Sequence, residues 1–263
     1  MPNIKLRPDT LDSDTLRFAP EPLRAPLFLN SIPKSGSHLL RNILRMFVPI
    51  EQQYRMQFIQ WQNLKEHLAA FDKSRSLMSF GHLFFTDISA LELAGVRKIL
   101  LYRDPYDWVI ARARFILSDE FEGNLDHLKQ GGVSTDELLS LMIFGIRTEA
   151  PSLTDMYELN VVAWLGSEGV YPVRFEDLRR HARDVESDEA KTYFAALLDA
   201  CGITALPRDW QERVRVGADP EQSGTARQNL TGVLVELPDT LPDRHRALVD
   251  YAAPGLRRVL GYA

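Results

Sequence analysis

Residues Leu27–Leu39, LFLNSIPKSGSHL, constrain the chain more than any other stretch. The apolar run Leu27, Phe28, Leu29 stops at a polar turn holding Pro33, Lys34, Ser35, Gly36 and Ser37. An apolar stretch with helical spacing follows over Leu39–Val48. The pattern is a strand, a phosphate-sized turn and a helix. A helix N-terminus offers free backbone N–H groups and partial positive charge. A glycine lets the backbone close on an oxyanion, and a lysine adds full charge. The same residues also read as a plain helix cap, with Ser35 or Ser37 satisfying the first turn. The turn is not the ATP and GTP loop G-x-x-x-x-G-K-[ST]. Lys34 precedes Gly36, and no Gly-Lys pair occurs in the chain.

At 263 residues the chain is long enough for one large α/β domain with a sizeable core. Residues 1–25 are polar, carry Pro2, Pro8, Pro20 and Pro22, and read as an irregular N-terminal arm ahead of a domain over residues 26–263. A net charge of −5 argues against a general nucleic-acid binder while leaving room for a local basic pocket. Cys201 is the single cysteine, so no intramolecular disulfide forms, which fits a reducing compartment. No apolar run approaches a membrane span, and the start MPNIKLRPDTLDSD has no signal-peptide core. These features point to a soluble, cytoplasmic protein.

Along the chain, residues 26–30 read as a strand and 37–47 as a helix that packs on a sheet. Residues 51–75 are amphipathic, with Phe58, Trp61, Leu64, Leu68 and Phe71 at helical spacing. Residues 77–80 form a short strand ending at Gly81-His82. The strongest strand is Lys98–Tyr102, KILLY, a continuously apolar run that suits a parallel strand covered on both faces. Tyr106–Leu117 reads as helix with Pro105 just ahead of it. Residues 118–134 are a charged insertion, and 135–149 and 153–166 are helices. Val170–Phe175 is a strand whose Pro172 suggests an edge position. Residues 188–201 form a helix, 206–224 a polar loop, and 243–260 the last helix. The alternation predicts an α/β fold, a doubly wound central parallel sheet with helices on both faces.

Arg103 stands directly after KILLY, where open α/β sheets bind ligands at the carboxyl ends of strands. An arginine there is placed to grip a phosphate with its bidentate fork. The alternative is a structural ion pair with Asp104 or Asp107. His82, near a strand end, is by residue type alone more often structural than catalytic. His67, His127, His181 and His245 sit in charged surroundings and read as surface positions.

Lys34-Ser35-Gly36-Ser37-His38 resembles the P-K-[ST]-G-[ST]-[TH] signature of sulfotransferases that use 3′-phosphoadenosine 5′-phosphosulfate (PAPS). Arg103-Asp104-Pro105-Tyr106-Asp107 resembles their second signature, R-[ND]-P-x-[DE]-x-x-x-S, with Ala111 at the serine position. Gly81-His82-Leu83-Phe84 is similar to the T-H-L-P-like segment some twenty residues upstream. Trp164 with Phe175-Glu176-Asp177-Leu178 matches a tryptophan followed by Y-E-D-L. The C-terminal R-K-G loop of the family is absent, and Leu39 stands where some members carry a tryptophan. The resemblance spans about residues 26–262.

It implies a P-loop-like sulfotransferase architecture and a division of labour. His82 is the general base, and Lys34 with the N–H groups of Ser35, Gly36, Ser37 and His38 stabilises the leaving 5′-phosphate. Arg103 anchors the 3′-phosphate, with Arg112 or Arg114 making up for Ala111. Phe175 lies on the adenine side, and Arg227 or Arg215 substitutes for the R-K-G loop. The donor is PAPS, the product adenosine 3′,5′-bisphosphate, and no metal is expected. The acceptor is a small molecule or glycan bearing a hydroxyl or amine, walled by residues 51–60, 83–90 and 118–156. A P-loop-type small-molecule kinase and a non-catalytic nucleotide-binding relative are the alternative readings. The sequence carries no reading of oligomeric state.

Overall fold

The computed structural model describes residues 3–55, 58–147, 149–225, 230 and 233–262. Its strands, in chain order, are β1 Asn3–Ile4, β2 Leu27–Ser31, β3 Ile59–Gln60, β4 Met78–His82, β5 Arg97–Tyr102, β6 Phe121–Glu122 and β7 Val170–Arg174. The α-helices of the first half are α1 Leu11–Thr15, α2 Ser37–Arg45, α3 Asp87–Glu92, α4 Pro105–Leu117 and α5 Thr135–Phe144. Those of the second half are α6 Leu153–Tyr157, α7 Ala163–Leu165, α8 Phe175–Arg183, α9 Asp188–Ala200, α10 Trp210–Ala218, α11 Asp243–Ala252 and α12 Leu256–Val259. The chain divides into two compact units. The first comprises Asp9–Tyr102 and Leu159–Ser223; the second comprises the first eight residues, Arg103–Glu158 and the chain from Gly224 onward.

The first unit is built on a five-stranded sheet in the order β3-β4-β2-β5-β7, and every pairing is parallel. Parallel neighbours need crossovers, which is why strands and helices alternate in the sequence. β2 lies between β4 and β5, with Leu29 opposite Phe80 on one side and Ile99 on the other. Leu27, Leu29, Met78, Phe80, Ile99, Leu101 and Val173 lie in one apolar core with Leu40, Ile43 and Leu44 of α2 and with Phe194 and Leu197 of α9. On the opposite face Phe28 meets Phe71 edge-on, 5.5 Å between ring centres. Each fully buried leucine or phenylalanine contributes about 2 kcal/mol. β7 is an edge strand, so Pro172 withholds no hydrogen bond from a further neighbour.

Several elements differ from expectation. Residues 51–75 are not one helix. They hold a short turn at Ile50–Gln52, the edge strand β3 and a 3₁₀ segment Trp61–Phe71 interrupted at His67. The 206–224 stretch contains α10, whose Trp210 and Val214 are buried. Burial of that stripe outweighs the glycine that makes the segment read as loop. The 153–166 helix is broken by a π-helical turn at Glu158–Val162, and 243–260 splits into α11 and α12 at Gly255. In the N-terminal stretch, Arg45 of α2 reaches Asp9 at 2.9 Å and Asp12 at 2.8 Å, next to the buried Leu11 of α1.

Three of the four histidines read as surface positions are buried: His67, His181 and His245. Each has an aromatic or hydrogen-bonding partner. Tyr54 Oη lies 2.9 Å from His67 Nδ1, Tyr193 stacks on His181, and His245 Nε2 lies 3.1 Å from the Asp136 carbonyl. An imidazole buries readily once its polar edge is met. His127 is exposed, as expected.

In the second unit α4 packs on α5, and α5 on α11. Asp104 caps α4 by accepting from the Tyr106 N–H at 3.0 Å, and Arg257 grips the same carboxylate with two hydrogen bonds of 3.1 and 2.9 Å. Arg112 is buried, donating to the carbonyls of Met142 and Pro151 at 3.0 and 2.7 Å with its guanidinium over Trp108. It is therefore a structural pin of this unit and does not stand in for the serine replaced by Ala111.

Candidate functional site

β2 ends at Ser31, and the turn to α2 carries two left-handed residues, Lys34 at φ 67° and Gly36 at φ 89°. Gly36 occupies the N-cap of α2, and no side chain caps the helix. The serines are engaged elsewhere. Ser35 Oγ donates to the Ile32 carbonyl at 2.6 Å, and the hydroxyls of Ser37 and Ser31 lie 2.8 Å apart. A plain cap by Ser35 or Ser37 is thus excluded, and the first turn of α2 keeps its backbone donors free of side-chain caps.

Phe175, the first residue of α8, closes over this turn. A Cβ placed on Gly36 would meet the Phe175 ring at 2.4 Å. Only glycine allows both the left-handed backbone and this approach.

β4 delivers His82 beside the same turn. Its Nδ1 lies 2.8 Å from the Ser31 carbonyl and 3.1 Å from the Ser31 hydroxyl. A carbonyl only accepts, so Nδ1 carries the proton and Nε2 holds the lone pair. Among the described residues Nε2 meets no hydrogen-bond partner. Phe58 stacks on the imidazole, 4.9 Å between centres and 25° between planes. Burial pulls the His82 pKa down to about 4. The bond to Ser31 opposes the shift and the nearby charge of Lys34 adds to it. His38, on the first turn of α2, lies 5.9 Å from the Phe58 ring, and its pKa is pulled to about 3 by burial, then by Arg41 and Lys34. Both imidazoles are neutral near pH 7.

The segment after His82 is held by two residues. Asn30 pairs with Leu83 as a strand would, its Nδ2 donating to the Leu83 carbonyl at 3.1 Å and its Oδ1 accepting from the Leu83 N–H at 2.9 Å. Trp164 Nε1 donates to the same carbonyl at 2.9 Å. Gly81 is required by the pairing with β3, since a Cβ there would lie 2.0 Å from the Ile59 carbonyl. This explains glycine where the resembled segment has threonine.

The first unit thus brings together Lys34, Ser35, Gly36, Ser37, His38, His82 and Phe175. Arg103 opens the second unit, where the Tyr157 hydroxyl donates to its carbonyl at 2.8 Å. Asp104, a candidate ion-pair partner for Arg103 in the sequence, is gripped by Arg257. Arg227 lies outside the described residues. Sequence reading passed over Asn30 and Ser31, and placed Phe58 only in the acceptor wall of residues 51–60. The signal for Asn30 was a polar residue inside an apolar strand run, where a buried amide must find partners.

Among the described residues no helix is long and apolar enough to cross a membrane, and no group of three or more His, Cys, Asp or Glu side chains is placed to hold a metal ion. No family model matches the chain, and no curated protein matches it. Among solved structures it is similar to mouse sulfotransferase SULT7A1 complexed with PAP. The identity is 13%, the TM-score 0.60, and the match covers 95% of this chain and 87% of that one. At that identity the likeness establishes the fold: a central parallel sheet flanked by helices, shared with a sulfotransferase.

Proposed function

We propose that the chain is a sulfotransferase that moves a sulfuryl group from PAPS to a hydroxyl or amine of a small-molecule or glycan acceptor. The observation that carries this reading is the pairing of His82 with Ser31. It leaves the Nε2 lone pair of a neutral imidazole bare beside Lys34 and an uncapped helix N-terminus. The residues present fit the donor. A lysine and uncapped N–H groups suit a leaving phosphate, and the close approach of Phe175 to Gly36 gives the turn an aromatic wall.

PAPS supplies the sulfuryl group and a 5′-phosphate leaving group. His82 Nε2 accepts the proton of the acceptor as its oxygen or nitrogen attacks in line. Lys34 and the N–H groups of the turn hold the negative charge that collects on the oxygen released from sulfur. Ser31 keeps the His82 ring in the tautomer that can take a proton. Arg103, next in the chain after β5, is assigned the 3′-phosphate on the sequence resemblance, as is Arg227. Fold similarity to a sulfotransferase supports the reaction class.

The test is a thermal-shift comparison of adenosine 3′,5′-bisphosphate with ATP–Mg²⁺, followed by transfer from mass-tagged PAPS to a panel of phenols and sugars. Stabilisation by the bisphosphate alone, with label on an acceptor, is the expected result. Stabilisation by ATP–Mg²⁺ alone would make the chain a kinase, and binding without transfer to any acceptor would make it a non-catalytic relative.

A further inference from the structure

A second polar concavity of the first unit lies outside the machinery just described. It is a cavity of about 220 Å³ lined by Arg41, Arg45, Arg55, Asp9, Asp12 and Phe80, among others. Three guanidiniums face two carboxylates there, leaving one positive charge in excess. The pairing is uneven. Arg45 holds both Asp9 and Asp12, and Arg55 holds Asp12 at 2.8 Å. Arg41 makes no hydrogen bond or ion pair among the described residues, and its guanidinium lies 3.9 Å over the ring of Phe80. Burial, then the charge of Arg45, pulls its pKa down to about 10, so it stays cationic at neutral pH. A half-buried guanidinium stacked on an aromatic face, with its donors unused, suits a planar or tetrahedral oxyanion.

Phe80, which lines the cavity, connects it to His82. Phe80 and His82 are two residues apart on β4, hence on the same face and about 7 Å apart along the strand. Phe58 bridges them, edge-on to Phe80 at 4.7 Å and stacked on His82 at 4.9 Å. A chain of aromatic contacts therefore links the His82 ring to the Arg41 guanidinium.

We propose that this cavity binds the anionic end of the acceptor, a singly charged carboxylate or sulfonate carried on an aromatic or similarly flat body, with Arg41 as its recognition residue. The proposal rests on the sulfotransferase reading for the acceptor role, and not for the anion site itself.

The probes are 3-(4-hydroxyphenyl)propionate and its neutral amide, titrated calorimetrically into the full chain with and without adenosine 3′,5′-bisphosphate. The acid is expected to bind at least tenfold more tightly than the amide and to show at least a tenfold higher kcat/KM with PAPS. Arg41→Gln is expected to bring the acid down to the level of the amide while bisphosphate affinity stays within twofold. Equal binding of acid and amide to the unaltered chain overturns the anion site without recourse to any variant, as does an acid preference that survives Arg41→Gln. Binding of the acid without transfer, in a chain that binds the bisphosphate, overturns the acceptor role. Failure to bind the bisphosphate at all counts against the sulfotransferase reading, and the acid-against-amide comparison then decides the cavity alone.

Discussion

His82 donates its Nδ1 proton to the carbonyl of Ser31 at 2.8 Å, joining the end of β4 to the end of β2 one residue before the turn that holds Lys34. The bond fixes both the ring orientation and the tautomer. It also ties His82 to β2, the strand that leads into the turn holding Lys34 and Gly36.

Replacing His82 by alanine is expected to lower kcat by about 10²–10⁴ while leaving bisphosphate affinity near that of the unaltered chain. Single-turnover transfer and calorimetry check this, and full turnover in the variant removes His82 from the mechanism. Because burial holds its pKa at about 4, below the ordinary 6.5, kcat/KM should stay level on the acid side until well below pH 6. An acid limb centred near 6.5 would contradict that environment.

The same depression has a consequence for stability. His82 and His38 have folded-state pKa values of about 4 and about 3, against 6.5 in the unfolded chain. As pH falls below 6.5 the unfolded chain binds more protons, so their contribution is complete above that value and is lost progressively as pH drops toward the folded values. Urea midpoints at about pH 7.5 and about pH 4.5 should differ less in His38→Gln than in the unaltered chain. An identical drop in both would show that His38 is not held neutral.

Gly36→Ala forces a side chain onto a φ of 89° and into the Phe175 ring. A loss of about 1–3 kcal/mol is expected, with loss of bisphosphate binding. Adding Phe175→Ala removes the ring and should return part of the stability. A fully stable, binding-competent Gly36→Ala chain would mean that the turn has no need of this approach.

Arg112→Leu leaves the buried Met142 carbonyl and the half-buried Pro151 carbonyl without their donor and should cost about 2–4 kcal/mol, read from the chemical denaturation midpoint. Transfer per folded molecule should be unchanged at low temperature. A selective rise in the KM for PAPS, without loss of stability, would instead return Arg112 to the phosphate.

The parts of the site that were legible in sequence are those set by neighbours in the chain. The strand, turn and helix of Leu27–Arg45 are local, and the order Lys34–Gly36 marks the turn without any tertiary contact. Pro172 announces an edge strand because the missing N–H has the same effect in any fold. The stretches that misled are those decided by packing. Gly217 reads as a loop residue, yet a Cβ there would lie 2.5 Å from the Ile43 Cα, so it serves the close contact of α10 with α2. Arg112, expected to make up for Ala111, proves to be a buried pin. A side chain with five donors can be buried wherever carbonyls converge, and that convergence appears in no single segment.

By itself the sequence determined the alternating parallel sheet, the phosphate-sized turn and the candidates Lys34 and His82, because periodicity, backbone permissiveness and residue chemistry are properties of short stretches. Only the tertiary structure decided what those candidates can do. Bringing β4 beside β2 gave His82 its Ser31 partner, its tautomer and its low pKa. The same apposition set Phe80 under Arg41, and β7 beside β5 laid Phe175 over Gly36. Hydrogen-bond partnership, desolvation and stacking depend on groups far apart in the chain, and so appear only once it is folded.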